Sequence, residues 1–374
     1  MISRLRHFDW VMFGAIAALL ILSCLFIYSA DCRNTDHAVL SGLAGRQMMW
    51  AVIGLSCYSA AAAFDYRKLG SFQWWIYLAT LASLVLVLFI GMSVYGAHRW
   101  FSFGSVTVQP SEFAKLAVIF TLAAWLGDPA TDIERFKTFI LAFLLTGIPF
   151  LLIAAEPDLG SAMILVPIVM VLLFCAGVPL RPLLSLVGIG VAAVLVLVVW
   201  LLFFPDSCPL EDYQKNRILV YLNINQDPLG SGWNKLQSQI AVGSGGWFGK
   251  GYLKGTQNIL GFLPRTVAPT DFIYSVVAEE TGFAGSSLLL ALYTMVVVRC
   301  MHAAIVARDM FGRLLSAGIG VLIFSHVFVN IAMTIGLMPI TGVPLPLMSY
   351  GGTFMVSIMT ALGLVQSVCL RRRI

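Results

Sequence analysis

Of the 374 residues, 59% are hydrophobic and only 11% are charged, less than half the charged fraction of about 25% usual in water-soluble domains. A surface this apolar is excluded from water, so lipid must be the solvent for much of the chain. The net charge of +5 is modest, and Lys and Arg sit in short loops rather than along one stripe, which argues against a nucleic-acid-binding protein.

Stretches of about 17–25 apolar residues mark membrane-spanning helices. Ten are predicted, at 10–30, 47–64, 72–93, 112–127, 138–154, 159–177, 183–204, 271–298, 314–337 and 347–369. The fold class is therefore all-α and polytopic, with residues 1–374 forming one transmembrane domain. The first run, Val11 to Ala30, lacks a small-residue cleavage pattern and reads as a retained span rather than a signal peptide. The fourth and fifth spans are short enough to be tilted or partly re-entrant.

An even number of spans puts both termini on one side. Arg4, Arg6, Arg67, Lys68, Arg135, Lys137, Arg181, Arg299, Arg308, Arg313 and Arg371 to Arg373 fall in alternate segments, against Arg33, Arg46 and Arg99 in the opposite short loops. Positive charge accumulates on the cytoplasmic side, so both termini are expected there, in a cytoplasmic membrane. Residues 205–270, between the seventh and eighth spans, then form a large extracytoplasmic loop. Trp233, Trp247, Phe248, Tyr252 and Phe262 are too many aromatics for a solvated tether, which predicts a folded or membrane-hugging element. Five cysteines fall in or beside apolar runs, while Cys32 and Cys208 map to outer loops; these two are either bridged or unpaired.

Five constellations have chemical potential. In the first, Pro110 reads as a first-turn residue and Ser111 as a cap, with Glu112 and Lys115 sharing one helix face and able to pair. Nearby, Arg99 and Trp100 are either an interfacial anchor or an anion contact. In the second, Glu156-Pro157-Asp158-Leu159-Gly160-Ser161, Asp158 either caps the next helix or lines a polar cavity. The third runs from Tyr213-Gln214-Lys215-Asn216-Arg217 to the segment Gln237 to Gly246. Its glycines either cradle phosphate oxygens or simply turn corners, and Lys215, Arg217, Lys250, Lys254 and Arg265 suit an anionic group.

In the fourth, Asp271 opens the eighth span, as an N-cap or, left unpaired, as a general base. The adjacent Glu279 and Glu280 cannot both face lipid cheaply. In the fifth, Asn330 precedes the run Pro339 to Gly352, whose prolines and glycines force a non-helical path; such backbone is tolerated at membrane depth only when buried in protein or lining a cavity.

These motifs together resemble the shape, elongation, division and sporulation (SEDS) family, which comprises RodA, FtsW and SpoVE. The matching segments are Gly96 to Lys115, Pro157 to Ser161, Tyr213 to Arg217, Asp227 to Gly251, Thr270 to Gly282 and Asn330 to Gly352. The short amino terminus and Gly255-Thr256-Gln257 are closer to the RodA branch. The resemblance implies a peptidoglycan glycosyltransferase that polymerises lipid II outside the cytoplasmic membrane for cell elongation and shape. The implied partners are lipid II, undecaprenyl-pyrophosphate-linked glycan, membrane lipid and a class B penicillin-binding protein.

The family's essential aspartate carries over to Asp271. Arg99, Glu112, Lys115, Asp158 and Arg217 carry over as substrate-binding candidates, and Gln237 and Ser349 stand in matching segments as two more. Two departures are visible. Arg265 and Ala268-Pro269 replace the family's Glu and His ahead of Asp271, and Glu156 replaces Gln. A divalent cation is an expectation from pyrophosphate chemistry, although no metal-ligand spacing is visible. A lipid II flippase and a non-catalytic scaffold are the alternatives.

Overall fold

The computed structural model of the chain describes residues 7–31, 42–94, 97–104, 106–223, 227, 230–264 and 267–372. In chain order these form α1 (Trp10–Asp31), α2 (Gly42–Ala63), the short α3 (Tyr66–Gly70) and α4 (Gln73–Ile90). A sheet of β1 (Met92–Val94), β2 (Ala97–Phe103) and β3 (Val106–Val108) follows. Next come α5 (Pro110–Leu126), α6 (Phe136–Ala155), α7 (Leu159–Met163), α8 (Leu165–Ala176) and α9 (Leu180–Phe203). The chain continues with α10 (Asp212–Leu222), α11 (Ser231–Ser244) and α12 (Thr256–Ile259), and ends with α13 (Ile273–Val306), α14 (Met310–Thr334) and α15 (Gly352–Leu370).

Among the described residues, eight helical segments are long and apolar enough to cross a bilayer, α7 and α8 counting as one. The helices α2 and the 17-residue α5 coincide with the other two predicted spans. The chain is a multi-pass α-helical membrane protein. Helix suits each span because lipid offers the backbone no hydrogen-bond partner.

Several boundaries differ from expectation: α2 begins at Gly42 rather than 47, and α15 at Gly352 rather than 347. Helix α13 continues to Val306 rather than 298, and α14 begins at Met310 rather than 314, so Arg299 and Arg313 ride on helices. At about 1.5 Å per residue, a helix this long overshoots the hydrocarbon, and its charged end stands clear of it. Packing is uneven. Helices α14 and α15 bury 78% of their spans and α9 only 6%, so α9 leaves nearly its whole apolar surface outside the packed bundle. Helices α2 and α15 pack closely along small residues of α2, Ala51, Gly54 and Ala62, where short side chains let helix backbones approach.

The two ends of the bundle differ. At one end Asp9 pairs with Arg299 at 2.7 Å, Tyr66 donates to Asp309 at 2.6 Å, and Arg371 donates to the carbonyls of Ala62 and Ala63. At the opposite end, the first turn of α15 and the segments just before α13 and after α14 help line a polar cavity.

The loop 205–270 is folded, as its aromatics predicted. Helix α11 packs against α13 and α14, and the Ser238 hydroxyl lies 2.7 Å from that of Ser275 and donates to Thr334 O at 2.9 Å. After α11 the chain docks onto a break in α13 at Gly282 (φ 67, ψ −158). Lys250 and Gly251 donate their N–H groups to Glu279 and Glu280 carbonyls at 3.0 Å, and Phe283 and Ala284 donate back to Gly246 and Trp247.

A Cβ at Gly249 (φ +74) would lie 2.1 Å from the Glu280 carbonyl oxygen. Gly245, inside the predicted run, makes the same close approach, an added Cβ there meeting the Ala278 carbonyl oxygen at 2.1 Å, so these glycines let the loop backbone lie against α13. Both adjacent glutamates face protein. Glu279 accepts from Lys250 Nζ (2.6 Å), Thr256 Oγ1 (2.9 Å) and Gln257 N (3.0 Å), and Glu280 accepts from the Ser29 hydroxyl. Cys208 is a buried free thiol; Cys32 lies outside the described residues.

Candidate active site

The antiparallel sheet between the third and fourth spans, in strand order β1-β2-β3, does not read as strands in the hydropathy. It lifts Arg99 and Trp100 over the bundle end. There they line a cavity of about 320 Å³ with Gln109, Glu112, Asp158, Arg217, Asp271 and Tyr350. Five sequence-predicted candidates, Arg99 on β2, Glu112 on α5, Asp158 before α7, Arg217 on α10 and Asp271 before α13, thus meet around one space.

Each is held by local structure. Arg99 donates its Nε to Glu156 O at 2.7 Å and an Nη2 hydrogen to Pro157 O, so its charge is not spent on a carboxylate hydrogen bond. Helix α5 begins with Pro110 at its first position, as predicted, but its N-cap is Gln109 rather than Ser111. A proline at N1 puts the cap one residue before it. The Gln109 amide donates instead to Asp158 Oδ2 at 3.1 Å, while Asp158 Oδ1 accepts from Ser161 N at 3.2 Å. Asp158 therefore both caps α7 and lines the cavity. Gly160 permits this turn: an added Cβ would stand 2.5 Å from Thr341 O on the facing loop.

Arg217 comes from α10 in the large loop. It donates to Thr341 O at 3.3 Å and lies 5.7 Å from the Tyr213 ring centre. Desolvation, with Arg99 nearby, lowers its pKa from the usual value.

Asp271 does not cap the eighth span. The N-cap of α13 is Phe272, without a side-chain cap bond. Among the described residues no Lys, Arg or His stands within salt-bridge distance of the Asp271 carboxylate. Desolvation raises its pKa to about 6; Arg217 opposes the rise and Asp158 adds to it. Its main chain is clamped. Asn330 Nδ2 donates to Asp271 O at 2.9 Å and to Val343 O at 2.8 Å, and Tyr350 N donates to Pro269 O at 2.8 Å. The irregular run after α14 thus folds against the segment bearing Asp271.

The remaining candidates lie elsewhere. Lys115 is buried beneath the wall, 1% exposed. It donates to Glu112 Oε1 at 2.8 Å and to His326 Nε2 at 3.1 Å, while His326 Nδ1 donates to Pro344 O at 3.2 Å. The Glu112–Lys115 pairing read from their spacing is therefore present, and Lys115 is not on the cavity surface. Ser349 donates its hydroxyl to Thr270 O and accepts from Leu345 N, supporting the segment next to Asp271 without lining the cavity. Gln237 is buried on α11, outside the lining. Lys215 lies 3.8 Å from Asp212, Lys250 is held by Glu279, and Lys254 is exposed; Arg265 lies outside the described residues. His326 escaped sequence reasoning, although an ionisable side chain in the ninth span was the signal for it.

A model of the cell cycle protein family of FtsW, RodA and SpoVE matches residues 9–374. The chain belongs to this family. Within the cell cycle protein family, it is 37% identical over 367 residues to peptidoglycan glycosyltransferase MrdB of Escherichia coli K12, covering 98% of this chain and 95% of that protein. It is 32% identical to peptidoglycan glycosyltransferase RodA of Treponema pallidum, covering 99% of each. In structure it resembles a chain of a peptidoglycan synthase complex that coordinates polymerization and crosslinking (TM-score 0.79, 31% identity, 98% of each chain). It also resembles the rod shape determining protein RodA of Thermus thermophilus (TM-score 0.71, 29% identity, 98% of this chain and 97% of that one).

Proposed function

We propose that the chain is a peptidoglycan glycosyltransferase that polymerises lipid II in this cavity, with Asp271 as general base. The observation that carries the reading is a carboxylate without a salt-bridge partner among the described residues, facing a cavity that also presents two arginines, in a chain whose near-full-length relatives are named for this reaction.

The acceptor sugar hydroxyl attacks the anomeric carbon at the lipid-linked end of the growing strand. A new C–O bond forms, the bond to the diphosphate breaks with inversion, and the hydroxyl proton passes to Asp271. With a pKa of about 6, Asp271 is ionised at neutral pH yet basic enough to take that proton in the transition state. Charge develops on the departing diphosphate, and Arg99 and Arg217 are the cations placed to stabilise it.

Lys115 acts at one remove by holding Glu112. Among the described residues no cluster of three His, Cys, Asp or Glu side chains suits a metal ion.

The Arg residues at the bundle end opposite the cavity support cytoplasmic termini and a cavity on the outer face of the cytoplasmic membrane. A class B penicillin-binding protein fits as the partner that crosslinks the strand. Purified protein incubated with lipid II, with and without such a partner, tests the proposal: glycan polymer is expected, and its absence under both conditions would contradict it.

A further inference from the structure

Glu156 ends α6 beside the cavity, outside its lining. It is 0% exposed, and among the described residues neither carboxyl oxygen has a hydrogen-bond partner. A buried carboxylate in that state is costly unless a proton or a cation neutralises it. The cation that faces it is Arg99 from β2, whose guanidinium is tied to the carbonyl oxygens of Glu156 and Pro157 rather than to a carboxylate. On the same turn, Asp158 adds a like charge. Across the cavity stand Arg217 of α10 and Asp271 before α13, while Glu112 of α5 is occupied by Lys115.

We propose that Glu156 is a positioning residue that sets the charge Arg99 presents to the cavity. Protonated, it leaves the guanidinium free to meet an anionic diphosphate. Ionised, it draws that charge to itself, and the cavity loses a cation. Desolvation, reinforced by Asp158 and opposed by Arg99, raises the Glu156 pKa to about 8, so the change falls just above neutrality. As to what is bound, the inference rests on the glycosyltransferase reading; as to the protonation of Glu156, it does not.

The test compares wild type with Glu156→Gln in detergent between pH 6 and 9, reading lipid II affinity, polymer yield and thermal unfolding. Wild-type Kd is expected to weaken about tenfold above pH 8, the usual worth of one charge-assisted hydrogen bond, while the variant's stays flat. A folded pKa raised from the ordinary 4.5 stabilises fully below pH 4.5, and that contribution is lost as pH rises through about 8. The unfolding temperature of wild type should therefore fall relative to the variant across this range. Parallel unfolding curves, or the same pH dependence of Kd in both proteins, would overturn the assignment. Diverging unfolding curves without binding or polymer would instead refute the reading of the site while leaving Glu156 protonated.

Discussion

Asn330 spends both amide hydrogens on two chain segments, donating to Asp271 O at 2.9 Å and to Val343 O at 2.8 Å. One side chain in the ninth span thereby fixes the segment bearing the proposed base against the loop after α14. Small displacements of a reacting group cost about 10²-fold in rate. An Asn330→Ala protein should lose about 10–100-fold in kcat with a smaller change in KM, measured as lipid II polymerisation. An unchanged kcat would mean that the clamp is not needed.

The Glu112–Lys115 pair predicts an asymmetry in stability. Both side chains are almost completely buried, so removing one partner strands the other's charge at a cost of about 3–5 kcal/mol. Lys115→Met alone should lower the unfolding temperature sharply. Combining it with Glu112→Gln should recover much of the loss, which thermal unfolding in detergent can measure.

A substitution at Gly249 should act on the loop rather than on chemistry. A side chain there meets the Glu280 carbonyl at 2.1 Å in a left-handed backbone, so Gly249→Val should undock segment 245–251 from α13. Faster proteolysis of the loop is the readout; an unaltered cleavage pattern would contradict the docking.

The pH dependence of the rate follows from Asp271. Its pKa of about 6 belongs to the group that must be ionised to accept a proton, so kcat should rise with pH through about 6 and then level. Asp271→Glu, if active, should keep such a limb at a shifted position, whereas Asn should abolish it. A pH-rate profile between 5 and 8 checks this.

The spans were legible because a bilayer demands long apolar runs, and those runs name themselves. The sheet at 92–108 was not, since strands of three to seven residues between two apolar spans leave no hydropathy signature of their own. For the site, motifs named Arg99, Glu112, Asp158, Arg217 and Asp271, but only the packing of α5, α10, α13 and the loop after α14 joins them. Lys115 and Ser349 stand in equally recognisable motifs yet serve as supports, because sequence registers residue type and spacing but not which face of a wall a side chain takes. His326 went unread because it lies four residues before the matching segment that begins at Asn330, in the same span.

The most direct measurement is the rate at which purified Asp271→Asn protein polymerises lipid II. The substitution keeps the shape and removes the base, so the rate should fall by about 10²–10⁴-fold while lipid II still binds and the unfolding temperature holds. Polymerisation at close to the wild-type rate would contradict the assignment of the base.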